Sequence, residues 1–161
     1  EMNTRLVGSE MCIRDSIVEI LDYYNSKCKT VFIETNASNT KPELWKQLSE
    51  LDLSYTTWTF SVDGLRDTNS IYRIRSNWKH ITHAMQTILD MPEERRPYTL
   101  WKWIEFPYNQ HQTDKARELA KEWGFDSFEA RKSTRWKPYP KTTHNIKQYL
   151  FPEELELWNQ K

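Results

Sequence analysis

A chain of 161 residues is long enough for one domain with a real core, and its 23 basic and 23 acidic side chains cancel, which excludes a global field drawing it to nucleic acid or a membrane. Three glycines, Gly8, Gly64 and Gly124, are too few and too scattered for a glycine-rich phosphate loop, while 14% aromatic residues argue against disorder. Cys12 and Cys28 sit in no metal or redox spacing; with no apolar run of membrane-spanning length and no secretory signal, the expected location is cytoplasmic, with no membrane partner.

Residues 1–16 show no periodicity. The stretch GSEMCIRDS resembles translated adapter sequence, so the segment is expected outside the fold, as a non-native or disordered tail. From Ser16 a regular rhythm begins. SIVEILDYYNSK puts Ile17, Ile20, Leu21 and Tyr24 on one helical face behind a serine cap. TVFIETN is a β-branched, aromatic strand. TKPELWKQLSEL predicts a helix with Thr40 and Glu43 at capping-box spacing, Pro42 in its first turn, and Leu44, Leu48 and Leu51 aligned. SYTTWTFSVD is a second strand. NWKHITHAMQTILDM is a third helix, capped by Asn77, with Trp78, Ile81, Met85 and Ile88 inside. PYTLWKWIEF is a third strand. TDKARELAKEWG is a helix with Ala116, Leu119, Ala120 and Trp123 inward and Gly124 at its end, and SFEAR is a short fourth strand.

Strand and helix alternate, so the sheet should be parallel with right-handed crossovers. Residues 17–133 form this core. Beyond them, 134–161 reads as a basic linker and a short C-terminal helix at FPEELELW; residues 131–147 carry six basic side chains and no acid.

The central strand raises the functional question. In TTWTFSVD, Trp58, Phe60 and Val62 share one face, and Thr57, Thr59, Ser61 and Asp63 share the other. The apolar face belongs under the crossover helices, which turns the polar face toward the interior of a barrel. The expected fold is therefore α/β, a partial, truncated parallel (β/α) barrel of TIM-barrel type, with about four βα units. Asp63 and Gly64 fall at the carboxyl end of the strand, where such folds place their sites, and Arg66, Arg73 and Arg75 follow.

With these pieces placed, residues 17 to 133 resemble the middle of a radical S-adenosylmethionine (radical SAM) enzyme, from the branch with a cluster-binding, SPASM-like C-terminal extension. FIETNAS resembles that family's Thr-Asn-Gly motif, with Ala37 for the glycine. FSVDGLRDTNSIYR resembles its Ser-x-Asp-Gly motif and the arginine that follows, here Arg73. IEFPYNQHQTDKARELAKEWGFDSFEARKS resembles the elements after it. The family's Cys-x3-Cys-x2-Cys loop, which holds a [4Fe-4S] cluster, is absent, as is its Gly-Gly-Glu-Pro segment; the chain is expected to be a fragment, inactive alone, with no metal ligands of its own.

The resemblance implies that the intact enzyme uses the cluster and S-adenosylmethionine to make a 5'-deoxyadenosyl radical for hydrogen abstraction. Its substrate is unknown, with a small preference for peptide or protein, and no catalytic residue is assigned. Ser61 and Arg73 are implied to hold the cofactor's methionine carboxylate, a suitable task for a hydroxyl and a planar guanidinium. Ser61 as a satisfied core hydroxyl, Arg73 paired with Asp67, and Arg75 in Arg73's place remain open. Asp63 orients hydroxyl groups of a ligand or stabilises the turn before Gly64; Thr35 and Asn36 line the same mouth or make an Asx turn. One of Lys102 and Glu105 faces inward. Asn109 caps the next turn, and His80 and His83 are expected on the surface. The alternative function is a non-catalytic nucleic-acid-binding α/β module using residues 131–147, with Trp136 and Tyr139 stacking on bases, and it is the disfavoured one.

Overall fold

Trp58, Phe60 and Val62 are all buried in the computed structural model, which describes residues 4–6, 16–27, 30–38 and 41–133. Around them the elements run β1 (Thr4–Leu6), α1 (Ile17–Ser26), β2 (Val31–Thr35), α2 (Pro42–Glu50), β3 (Thr56–Ser61), α3 (Asn69–Tyr72), α4 (Trp78–Leu89), β4 (Tyr98–Glu105), a 3-10 turn (Gln110–Gln112), α5 (Thr113–Glu122) and β5 (Ser127–Lys132). Strands β2 to β5 form a continuous parallel sheet in chain order, with β1 beside β2 at one edge. Sequential order with crossovers of one hand stacks the helices on a single face. The chain is thus α/β with an all-parallel, open sheet.

Of residues 1–16, set outside the fold on sequence grounds, Thr4–Leu6 runs parallel to Val31–Ile33. The physical reason is the edge itself: an unpaired strand accepts an extended segment whatever that segment's periodicity. Residues 1–3 and 7–15 and the expected 134–161 linker and helix lie outside the described residues.

The core forms where the sheet's apolar face meets the helices. Ile81, Ala84, Met85 and Ile88 of α4, Ala116 and Ala120 of α5, and Trp45 and Leu48 of α2 join Val31, Trp58, Phe60, Trp101 and Trp103 in one cluster. Trp101 is its centre: its ring lies 5.5 Å from Phe125, 5.7 Å from Trp123 and 5.8 Å from Phe128, and its Nε1 donates to the Val62 carbonyl at 3.0 Å. Trp45, Trp58, Trp101 and Trp103 lie in this layer, and each indole buries a large apolar area.

Helix boundaries follow local chemistry. Asn77 accepts a hydrogen bond from the Lys79 amide at 2.9 Å, so the cap on α4 stands. The capping box expected from Thr40 and Glu43 rests on Thr40, which lies outside the described residues. The helix starts at Pro42 with Lys41 in the cap position, because proline's fixed φ and missing N–H suit the first helical residue. Ser16 gives α1 only its carbonyl, to the Ile20 amide. At the end of α5, Gly124 adopts φ +86°, its amide bonds Lys121 O at 3.2 Å, and the Phe125 amide bonds Ala120 O at 2.9 Å. That is a Schellman closure, built on the left-handed glycine.

Candidate functional site

The carboxyl ends of β3 and β4 meet in a network built around Asp63. Its side chain is fully buried, and Oδ2 accepts from Arg73 Nε at 3.0 Å and Nη2 at 2.7 Å. Oδ1 accepts from the Ile104 amide at 2.9 Å. The Asp63 amide donates to Asn69 Oδ1, and the Asp63 carbonyl accepts from Asn109 Nδ2 at 2.8 Å. Asp63 therefore ties β3 to β4 and to the arginine loop in one residue.

Gly64 explains why the loop can turn back at once. A Cβ there would lie 2.4 Å from the Asn69 nitrogen and 2.6 Å from its Cα, so backbone occupies the place of a side chain. The loop is then clamped from the next connection. Gln112 Oε1 accepts from Thr68 Oγ1 at 2.5 Å and from the Leu65 amide at 3.3 Å, while its Nε2 donates to both oxygens of Asp67. Asp67 is thus taken by Gln112, and the alternative pairing of Arg73 with Asp67 is replaced by Asp63. Asn109 does more than cap a turn: it is buried, donates to Ile104 O as well as Asp63 O, and accepts from the Phe106 amide.

On the outer side of this network is an open pocket of about 290 Å³, lined among the described residues by Asn36, Ser38, Arg73, Ile74, Arg75 and Ser76. Two of its acceptors already take a bond: Asn36 Oδ1 accepts from the Ser38 amide at 2.9 Å, and Ser76 Oγ accepts from Asn69 Nδ2 at 2.8 Å. With two guanidinium groups, the Asn36 amide N–H2 and the Ser38 and Ser76 hydroxyls in the lining and no acidic side chain among the lining residues, the array is rich in donors and favours an oxyanion. Arg75 holds φ +66°, a left-handed backbone at the lip of the pocket.

The sequence-designated residues divide. Asn36 and Arg73 line this pocket. Thr35 Oγ1 accepts from the Ala37 amide at 3.1 Å, so Thr35 and Asn36 both brace the turn in which Ala37 takes φ +55°. Ser61 is not brought onto Arg73: its hydroxyl donates to Glu34 Oε1 at 2.7 Å, and Lys102 Nζ reaches the same oxygen at 3.1 Å. Lys102 therefore lies on the sheet face opposite the helices, in register with Ser61 and Glu129, and Glu105 alternates to the other side. His83 and His111 are exposed, but His80 is half-buried rather than on the surface, because it stands beside the buried Ile81 and one turn before the buried Ala84. Of the basic stretch 131–147 only 131–133 lies among the described residues, and there Arg131 pairs with Glu129.

Gln112, Glu34 and Ser76 escaped the sequence reading. Glu34 and Gln112 are ordinary polar residues whose partners lie 27 and 47 positions away, and Ser76 meets Asn69 only once the short helix between them has formed. No protein-family model matches the chain, and no curated protein matches it.

Proposed function

We propose that this chain forms part of the core barrel of a radical S-adenosylmethionine enzyme, and that the pocket of Asn36, Arg73, Arg75 and Ser76 receives the carboxylate at the methionine end of that cofactor. The observation carrying this reading is the donor-rich pocket with two guanidinium groups beyond the carboxyl ends of adjacent parallel strands, one guanidinium braced by the buried Asp63. Supporting it, Ala37 adopts a left-handed backbone where the resembled family has glycine, and Gly64 admits the close loop of the Ser-x-Asp-Gly motif. The sequential parallel order is the one a (β/α) barrel requires, with its polar face as the lumen.

Within the resembled family, S-adenosylmethionine is the source of a 5'-deoxyadenosyl radical that abstracts hydrogen from substrate. The pocket fits the carboxylate of this cofactor: Arg75 and the outer edge of Arg73 supply charge, and Asn36 and Ser76 supply neutral donors. The iron–sulfur cluster fits less well. It needs three thiolates, the sequence has two cysteines, and both lie outside the described residues, so no redox step is assigned to residues of this chain. Among the described residues no group of three His, Cys, Asp or Glu side chains is placed to hold a metal ion.

The test is a titration of the chain with S-adenosylmethionine, followed by amide chemical shifts. Binding that perturbs residues 36–38 and 73–76, and weakens by about 1.5–3 kcal/mol in Arg75→Ala, is the expected result for a lost charge-assisted hydrogen bond. Binding with no response in those amides would overturn the assignment of the pocket.

A further inference from the structure

The sheet face turned away from the helices holds a second pocket, of about 280 Å³ and separate from the arginine loop. Phe32 and Leu100 supply its apolar end; Glu34, Lys102, Glu129 and Arg131 supply four charges from three strands. Lys102 Nζ is 3.1 Å from Glu34 Oε1 and stands in register with Glu129, which pairs with Arg131. Acid and base therefore alternate from β2 to β5, and the charges sum to zero. Each group keeps a solvent-facing part: side-chain exposure is 32% for Lys102 and 41% for Glu34.

That arrangement discriminates by charge type. A simple anion approaching Lys102 and Arg131 also meets Glu34 and Glu129, and a simple cation meets the reverse, so each loses about what it gains. A molecule bearing both charges satisfies both sets at once. The apolar end adds a place for a small hydrocarbon group, and the volume suits a ligand of amino-acid size. A concave, charge-lined patch of this size with an apolar end is the ordinary form of a small-ligand site.

We propose that this pocket binds a small apolar α-amino acid as its zwitterion, with the carboxylate toward Lys102 and Arg131, the ammonium toward Glu34 and Glu129, and the side chain against Phe32 and Leu100. The residues of this pocket are not those of the arginine-loop pocket, although the S-adenosylmethionine reading makes the same sheet face the barrel lumen.

The probes are L-leucine, N-acetyl-L-leucine, which lacks the ammonium, and L-leucinamide, which lacks the carboxylate. Each is titrated into the full chain at millimolar concentrations while amide shifts are followed. Leucine is expected to move amides of residues 32–34, 100–102 and 129–131, leaving 73–76 unmoved, and to bind at least roughly tenfold more tightly than either analogue. Lys102→Met and Glu34→Gln should each weaken leucine by a similar factor; the glutamine keeps an acceptor for the Ser61 hydroxyl, so the fold is spared. Equal binding of all three probes, no response of these amides to leucine, or unchanged affinity in both variants overturns the proposal.

Discussion

Arg73 grips Asp63 through two nitrogens on one carboxylate oxygen, and Asp63 is the more deeply buried partner: its side chain is 0% exposed against 26% for the arginine. The pair answers a question posed by the sequence, which ends a strand in Asp-Gly and sends arginines after it. The buried acid is met by a guanidinium that the loop returns to it, and the glycine lets the loop return.

Breaking that pair should be expensive. Arg73→Ala takes the guanidinium away from a buried carboxylate that also accepts from the Ile104 amide, and a cost of roughly 3 kcal/mol is expected. Asp63→Asn keeps that amide bond and should cost less. Urea midpoints of the two variants measure the order. Equal midpoints for wild type and Arg73→Ala would mean that the pair contributes nothing to stability.

Gly64→Ala tests the close approach. The added methyl would overlap the backbone of Asn69 and Thr68, which no side-chain rotation relieves. Overpacking of this kind costs about 1–3 kcal/mol, and here the upper end is expected. The same variant should loosen the Arg73 loop, read as faster amide exchange at residues 69–76.

Gly124→Ala works by another route. No atom lies within 4 Å of its Cβ position, so space is not the issue; the cost comes from φ +86°, in the left-handed region. A loss of roughly 1–2 kcal/mol is expected, with no change in the binding of any ligand. A thermal melt alongside Gly64→Ala separates strain from collision.

Much of this was legible before any coordinates. Strand β3 buries Trp58, Phe60 and Val62 and turns Thr57, Thr59 and Ser61 away, as two-residue alternation requires. Asn77 and Gly124 begin and end helices because capping is local chemistry. The misses share the opposite property. On α2 the expected Leu44, Leu48 and Leu51 do pack on the core, but Trp45 beside them is buried as well, and leucine spacing alone does not reveal it. The four-residue helix α3 has no periodicity to read, and its clamp by Gln112 joins residues that adjoin only after the sheet forms. Ser61's partner, Glu34, is a neighbour across the sheet, and strand register is invisible in a single strand.

Asp126 should give part of the molecule's acid sensitivity. Burial pushes its carboxyl up, but the Thr99 hydroxyl and amide, with Arg96 beside it, outweigh burial and hold it below the usual carboxylate range. A group whose folded pKa is lowered stabilises the protein above its unfolded value, about 3.9, and loses that contribution as pH falls through the folded one. The stability gap between wild type and Asp126→Asn should thus be widest near neutral pH and close below about pH 4. A gap that widens on acidification would reverse the sign assigned here.

Ser61→Ala separates the two pockets. The resemblance assigns Ser61 to the cofactor carboxylate beside Arg73, whereas its hydroxyl is engaged by Glu34, on the sheet face that carries Lys102. If that engagement persists with ligand present, removing the hydroxyl leaves S-adenosylmethionine binding within roughly twofold of wild type, less than half a kilocalorie. It should instead alter the environment of Glu34, moving the amides of residues 33–35 and 102, at small cost in stability because the pair is partly exposed. Arg75→Ala, measured in the same titration, provides the contrast by weakening the ligand. Should Ser61→Ala weaken the cofactor as much as Arg75→Ala does, the serine must leave Glu34 on binding, and the carboxylate sits deeper, over the end of β3.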